Sequence, residues 1–310
     1  MKKHKGLLIG LLTLTMVFGA GCAKEKEKEV LKIGVMSDLG AAPFIVAEEN
    51  GYFEKLGVDV EITVFKSATD RDTAMQTGNL DGAMADMLTI VFYNDANFKA
   101  KMTSQTFGNY VMVTSPKVKT SDLDSAEKIN IGISSNTVID FATEQIALNA
   151  GLSEKLETVA IPQMPVRLEM LAAGELMAAT LPEPLATVAA SSGGEVVAST
   201  LDLGLQPGVF IMTQAAIDDK SEAIEKLYEG YNQAVNYLNT EDQSKYIDLL
   251  IEKLGFPPVL KDSFDFPELS TSQIADEVTF RTVLSWMTER GITTSNYEFS
   301  EVSTDAFIKE

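Results

Sequence analysis

The chain has 310 residues with 25 Lys and Arg against 45 Asp and Glu, a net charge of −20; at about 150 residues per domain there is material for two lobes. Hydrophobic residues make up 45% and charged residues 23%, which excludes intrinsic disorder, and the excess of acid repels phosphate backbones, so nucleic acid is excluded as a partner. The one histidine, His4, and the one cysteine, Cys22, both precede the globular sequence, which removes Ser-His-Asp chemistry and Cys/His zinc sites from the rest.

Met1-Lys2-Lys3-His4-Lys5 is a positive n-region, followed by an apolar stretch of 13 residues from Gly6 to Phe18 and the small residues Gly19-Ala20-Gly21. A lasting membrane span needs about 20 residues, so residues 1–21 are predicted to be a secretory signal peptide. Gly19-Ala20-Gly21-Cys22 resembles the lipobox of bacterial lipoproteins. That resemblance implies that Cys22 is acylated and begins the mature chain, which places the protein outside the cytoplasm, lipid-anchored to the cell membrane. Without it, Cys22 reads as an incidental thiol. Lys24 to Glu29 alternate in charge, so residues 22–30 are expected to form a solvated tether.

Residues 31–37 alternate like a strand, 41–56 are expected to be helical, and 58–65 alternate again with β-branched residues. A helix over 70–77 should end at Gly78, with a third strand over 80–85. The order β-α-β-α-β then begins again, with a strand over 129–134, a helix over 137–150 and a strand over 158–161. Between the two passes, 102–107 and 110–115 read as strands, and 196–213 reads as the return. Helices over 221–238, 241–254 and 272–290 are amphipathic and should pack back on the first lobe.

The two passes share more than element order. Arg71 precedes Gly78 by seven residues and Leu80 by nine, and Arg167 stands in the same relation to Gly174 and Leu176. Ile33-Gly34 and Ile131-Gly132 lie 38 and 36 residues before those arginines, and the strands after the two glycines end near Asp86 and Glu183. A duplicated unit explains these matches. The expected fold is α/β, with two similar doubly wound lobes joined by a hinge near 107–110 and 196–213. Lobe 1 should comprise 31–108 and 214–310, and lobe 2 should comprise 109–213.

Ala42-Pro43-Phe44 with Ala47-Glu48-Glu49-Asn50-Gly51-Tyr52-Phe53, Gly78-Asn79-Leu80-Asp81-Gly82-Ala83, Arg167 to Glu175, and Leu181-Pro182-Glu183-Pro184-Leu185 together resemble the extracytoplasmic solute-binding proteins of bacterial ABC importers. The group is the broad nitrate, sulfonate, taurine and thiamine-pyrimidine one. The resemblance covers about residues 30–310. It implies a type II periplasmic-binding-protein-like fold, a clamp that closes on one small molecule, and a membrane ABC permease as partner, with no cofactor and with the protein acting as a monomer. Two other roles stay open at this point. One is a surface sensor or adhesin; the other is an enzyme like the pyrimidine synthases of the same fold, which depend on histidine.

Ligands of such sheets sit beyond the carboxyl ends of the strands. That rule selects Ser37, Asp38, Ala42 and Pro43 after the first strand, Lys66, Ser67 and Asp70 after the second, and Asp86 after the third. In the second pass it selects Ser134, Ser135, Asn136 and Thr137, then Met164, then Glu183 between two prolines. The 134–137 segment precedes a helix, so it can bind an anionic group or merely cap that helix. Glu183 can meet a ligand or favour the following helix dipole. Arg71 and Arg167 are the nearby arginines, equally suited to structural pairs. An acid-rich rim with few cations favours an amine-bearing or zwitterionic ligand, such as a pyrimidine precursor or an amino-sulfonate, over nitrate or a simple sulfonate.

Overall fold

A computed structural model describes residues 30–308. The signal peptide, Cys22 and the tether up to Glu29 lie outside the described residues. The first passage runs β1 (Val30–Met36), α1 (Ala42–Glu49), α2 (Tyr52–Leu56), β2 (Asp59–Phe65), α3 (Ala68–Gln76), β3 (Gly82–Asp86), α4 (Met87–Asp95) and β4 (Ala100–Gln105). The second runs β5 (Tyr110–Thr114), α5 (Thr120–Ser125), β6 (Ile129–Ile133), α6 (Val138–Ala150), β7 (Leu156–Ala160), α7 (Met164–Ala173), β8 (Ala178–Pro182), α8 (Leu185–Ser191) and β9 (Val196–Ser199). The chain then returns through β10 (Gly208–Thr213), α9 (Gln214–Asp219), α10 (Ser221–Thr240), α11 (Ile247–Leu254), α12 (Leu260–Ser263), α13 (Glu277–Glu289) and α14 (Phe299–Val302).

The strands form two five-stranded sheets, β2-β1-β3-β10-β4 and β7-β6-β8-β5-β9. Each is mixed rather than wholly parallel. In the first, β1 pairs in parallel with β2 and β3, while β10 runs antiparallel to β3 and β4. In the second, β6 pairs in parallel with β7 and β8, while β5 runs antiparallel to β8 and β9. The antiparallel strands are the two that follow a crossing between lobes. The expected lobe boundary is corrected accordingly: Gly208–Thr213 complete the first sheet, so the return crossing ends by residue 207. Val30 likewise belongs to β1 rather than to the tether.

Burial follows position in the sheet. The central strands β3 and β8 are buried throughout, as strands covered on both faces must be. The edge strands β2 and β7 expose Asp59, Glu61 and Glu157, charges that discourage edge-to-edge pairing. The expected helix over 41–56 is split in two, because Gly51 takes a left-handed φ of 68° and restarts the chain as α2. The helix expected from 272 begins only at Glu277, where Asp276 accepts from the Val278 and Thr279 N–H groups as an N-cap.

The repeat has a physical basis in the first strand of each unit. A Cβ on Gly34 would stand 2.8 Å from Leu80 Cδ1, and one on Gly132 would stand 2.6 Å from Leu176 Cδ1. Each glycine therefore lets one leucine fold over the sheet, in the same place in both lobes.

The C-terminal helices do more than cover lobe 1. The amphipathic α10 buries Ile224, Leu227, Tyr231, Val235 and Leu238, a helical stripe that packs on α1 and α2. At roughly 1.5–3 kcal/mol per large apolar side chain, that face holds the helix in place. By contrast, α12 packs on α8, and α13 lies on α4 while reaching lobe 2. Trp286 meets Phe141 edge-on at 5.6 Å, and its Nε1 donates to Glu144 at 2.9 Å.

Candidate functional site

The parallel strands of both sheets end at one cleft. Lobe 1 lines it with Met36, Asp38, Arg71 and Asp86 among others, and the first crossing adds Thr106 and Phe107. Lobe 2 adds Tyr110, Ser134, Thr137, Met164 and Arg167. The cavity volume is about 40 Å³, so the lobes are drawn closely together. Three hydrogen bonds join them across its rim: Leu39 N donates to Glu183 O at 2.9 Å, Met164 N to Lys66 O at 3.2 Å, and Gln163 Nε2 to Asp70 Oδ2 at 3.0 Å. The first crossing meets the start of β10 beside the cleft, where Thr106 N donates to Gly208 O at 3.1 Å.

The charged groups of the cleft differ in how they are satisfied. Arg71 is 2% exposed and fully engaged. Its Nε donates to Asp72 Oδ1 at 2.9 Å, its Nη2 lies 2.8 Å from the same oxygen and 3.0 Å from Thr89 Oγ1, and Asp86 Oδ2 stands at 3.9 Å. Burial opposes its charge, but Asp72 and Asp86 outweigh burial and hold the guanidinium above its ordinary value. Arg167 is 0% exposed. Its Nη1 donates to Ile161 O at 2.8 Å, while Nε and Nη2 have no hydrogen-bond partner among the described residues. Burial alone pushes it down to about 10.

Asp38 brings a carboxyl group to the same cleft. Its Oδ1 accepts from Gly40 N at 3.0 Å, and burial raises its carboxyl to about 7 against the pull of that N–H and of Arg71. Burial also raises Asp86, opposed by Arg71. Asp86 caps α4 by accepting from Thr89 N at 2.9 Å. On the lobe 2 side, Ser134 and Thr137 open α6, whose positive N-terminus faces the cleft.

A model of the NMT1-like family matches residues 24–251. The chain belongs to that family. Among solved structures, this NMT1-like chain is similar to the alkanesulfonate-binding protein SsuA of Xanthomonas axonopodis pv. citri bound to MOPS, at 14% identity and TM-score 0.74 over 89% of this chain and 98% of that one. It is also similar to the ligand-binding component of an ABC-type import system of Staphylococcus aureus, at 13% and 0.72 over 90% and 98%. The periplasmic nitrate-binding protein NrtA of Synechocystis PCC 6803 matches at 13% and 0.71 over 91% and 87%. The fold is that of periplasmic binding proteins, and these neighbours are binding proteins. No curated relative matches the sequence.

Of the residues selected by the strand-end rule, Asp38, Asp86, Ser134, Thr137 and Met164 line the cleft. The rest are not among its lining residues. Ser37 Oγ donates to Leu254 O at 2.5 Å, and Ser67 Oγ accepts from Asp70 N at 3.3 Å as the cap of α3. Ala42 and Pro43 are buried in the first turn of α1. Lys66 and Asp70 take part through the rim hydrogen bonds, and Ser135 and Asn136 form the exposed turn before α6, with Asn136 N donating to Asp140. Glu183 is half-buried and places Oε2 on Thr187 N at 3.1 Å and Thr187 Oγ1 at 2.9 Å. Its carboxylate thus secures the first turn of α8, and burial raises it against those bonds.

Arg71, Arg167 and Tyr110 were absent from the strand-end selection because two lie within helices and one starts a strand. The repeated Arg-Gly-Leu spacing singled out both arginines. Their helical positions concealed that α3 and α7 point their first turns at the cleft.

Proposed function

We propose that the chain is the solute-binding component of an ABC importer, capturing one small organic molecule between its lobes and delivering it to a membrane permease. The observation that carries this reading is the cleft itself, closed from two sides by lobes that the backbone joins through two crossings. A ligand that touches both lobes binds the closed state more tightly than the open one and so selects it. The ligand bears an amine or another donor nitrogen: Asp38 is buried with one oxygen committed to Gly40, and a donor in the cleft would stabilise its charged form. The protein is delivered outside the cytoplasm and tethered through acylated Cys22, which fits the family likeness and the lipobox.

A thermal-shift screen of small metabolites identifies the ligand, since saturation at 100 times the dissociation constant stabilises by about 2.7 kcal/mol. Small-angle scattering then tests the clamp. A larger radius without the confirmed ligand than with it is expected; an unchanged radius at saturation defeats the clamp. For the anchor, Cys22→Ala should move the folded protein from the membrane fraction to the soluble one, and its retention in membranes would refute lipidation.

A further inference from the structure

The two units can be superposed residue for residue around their arginines. In the sheets, Ile33 and Gly34 face Gly82 and Ala83, while Ile131 and Gly132 face Ala178 and Ala179. Asp86 therefore corresponds to Pro182. Along the helices, Arg71 N donates to the carbonyl of the capping residue Ser67, and Arg167 N to that of Gln163. Asp72, the residue after Arg71, therefore corresponds to Leu168. Both carboxylates that neutralise Arg71 are missing from the second unit. The two atoms that Asp72 engages, Nε and Nη2, are the two that Arg167 leaves without a partner.

We propose that Arg167 is the anion anchor of the ligand, its unpartnered Nε and Nη2 taking a carboxylate or sulfonate of the molecule bound in the cleft that it lines. A guanidinium edge with two parallel donors matches the two oxygens of such a group. Ser134 and Thr137, at the positive end of α6, line the same cavity and favour the same charge. With Asp38 across the cleft, the ligand is a zwitterion rather than a simple amine. This inference rests on the clamp reading and narrows its ligand.

The test puts the missing acid back. Leu168→Asp offers Arg167 an internal carboxylate, with Leu168→Asn as the control for lost packing, because Leu168 is half-buried. Without ligand, L168D should unfold at a higher temperature than L168N, and Arg167→Met should not lower the midpoint of the parent. Sodium acetate and sodium sulfate are the anion probes, against sodium chloride at equal ionic strength. Saturable stabilisation by at least one is expected in the parent, with apparent affinity at least about tenfold weaker in R167M and L168D; acetate or sulfate preference separates carboxylate from sulfonate.

A parent midpoint that neither anion moves beyond the chloride control overturns the anchor, as does equal stability of L168D and L168N. A metabolite that compacts the parent and binds R167M with unchanged affinity would keep the clamp and remove the anchor. Failure of every metabolite to compact the parent would instead remove the clamp.

Discussion

Lobe 1 and lobe 2 are built on one unit, yet they differ where charge is buried. The glycine-leucine contact under the first strand is the same in both. The arginine stands on the same turn of the same helix in both, but only lobe 1 supplies carboxylates to it. Packing is thus common to the two copies, and electrostatic satisfaction is not. A buried cation without counter-charges is costly to keep, and the proposed anchor rests on that difference between Arg167 and Arg71.

The largest effect should come from the satisfied arginine. Arg71→Met leaves Asp86 buried without its cation and should cost about 3–5 kcal/mol in urea unfolding; a cost as small as that of R167M would erase the contrast between lobes. Asp38 gives the next effect, with a pH signature. Its folded value of about 7 lies above the ordinary 3.8, so the native state holds the proton more tightly than the unfolded chain does. That stabilisation is complete below about pH 4 and is lost as pH rises through about 7, on the order of 4–5 kcal/mol at about 1.4 kcal/mol per unit. Asp38→Asn should therefore match the ligand-free parent at pH 4 and exceed it at pH 8, and parallel profiles would remove Asp38 from the charge balance of the cleft.

Leu80→Ala and Leu176→Ala should each cost about 3 kcal/mol, and the double variant should add to within about 0.5 kcal/mol because the contacts lie in different sheets. A marked inequality would mean that the two leucines are not equivalent. The smallest effect concerns the contact that joins the lobes behind the cleft. Glu144 accepts from Trp286 Nε1 and Arg290 Nε, both at 2.9 Å, and Glu144→Gln keeps an acceptor while losing the charge. The expected cost is about 1 kcal/mol, disappearing in high salt.

Much of this architecture was legible in the sequence because it depends on periodicity and on glycine. The strand patterns of 31–37 and 129–134, the helix stop at Gly78 and the paired Arg-Gly-Leu spacings all report local constraints. The direction of β5 and β10 was not legible, since a strand's partner is chosen by the route of the chain and not by its own alternation. Glu183 shows a related limit: an acid at a strand end can face a cleft or turn back on the next helix, and its bonds to Thr187, four residues on, are not written in the strand pattern. Arg167 could be seen but not interpreted, because its significance lies in the lost partners of its counterpart.

The position of β10 between β3 and β4 has a consequence for the order in which the molecule assembles. Lobe 2 draws its sheet from one unbroken stretch, Tyr110 to Ser199, and can close as soon as that stretch is free. Lobe 1 cannot. Until Gly208–Thr213 arrives, β3 and β4 each present an unpaired edge, and the contacts that join them span more than 100 residues of chain. Such long-range pairing is slow and leaves the nascent sheet open to wrong partners. The lobe translated first is therefore the lobe completed last, and a chaperone acting on this chain would have most to guard in its N-terminal third.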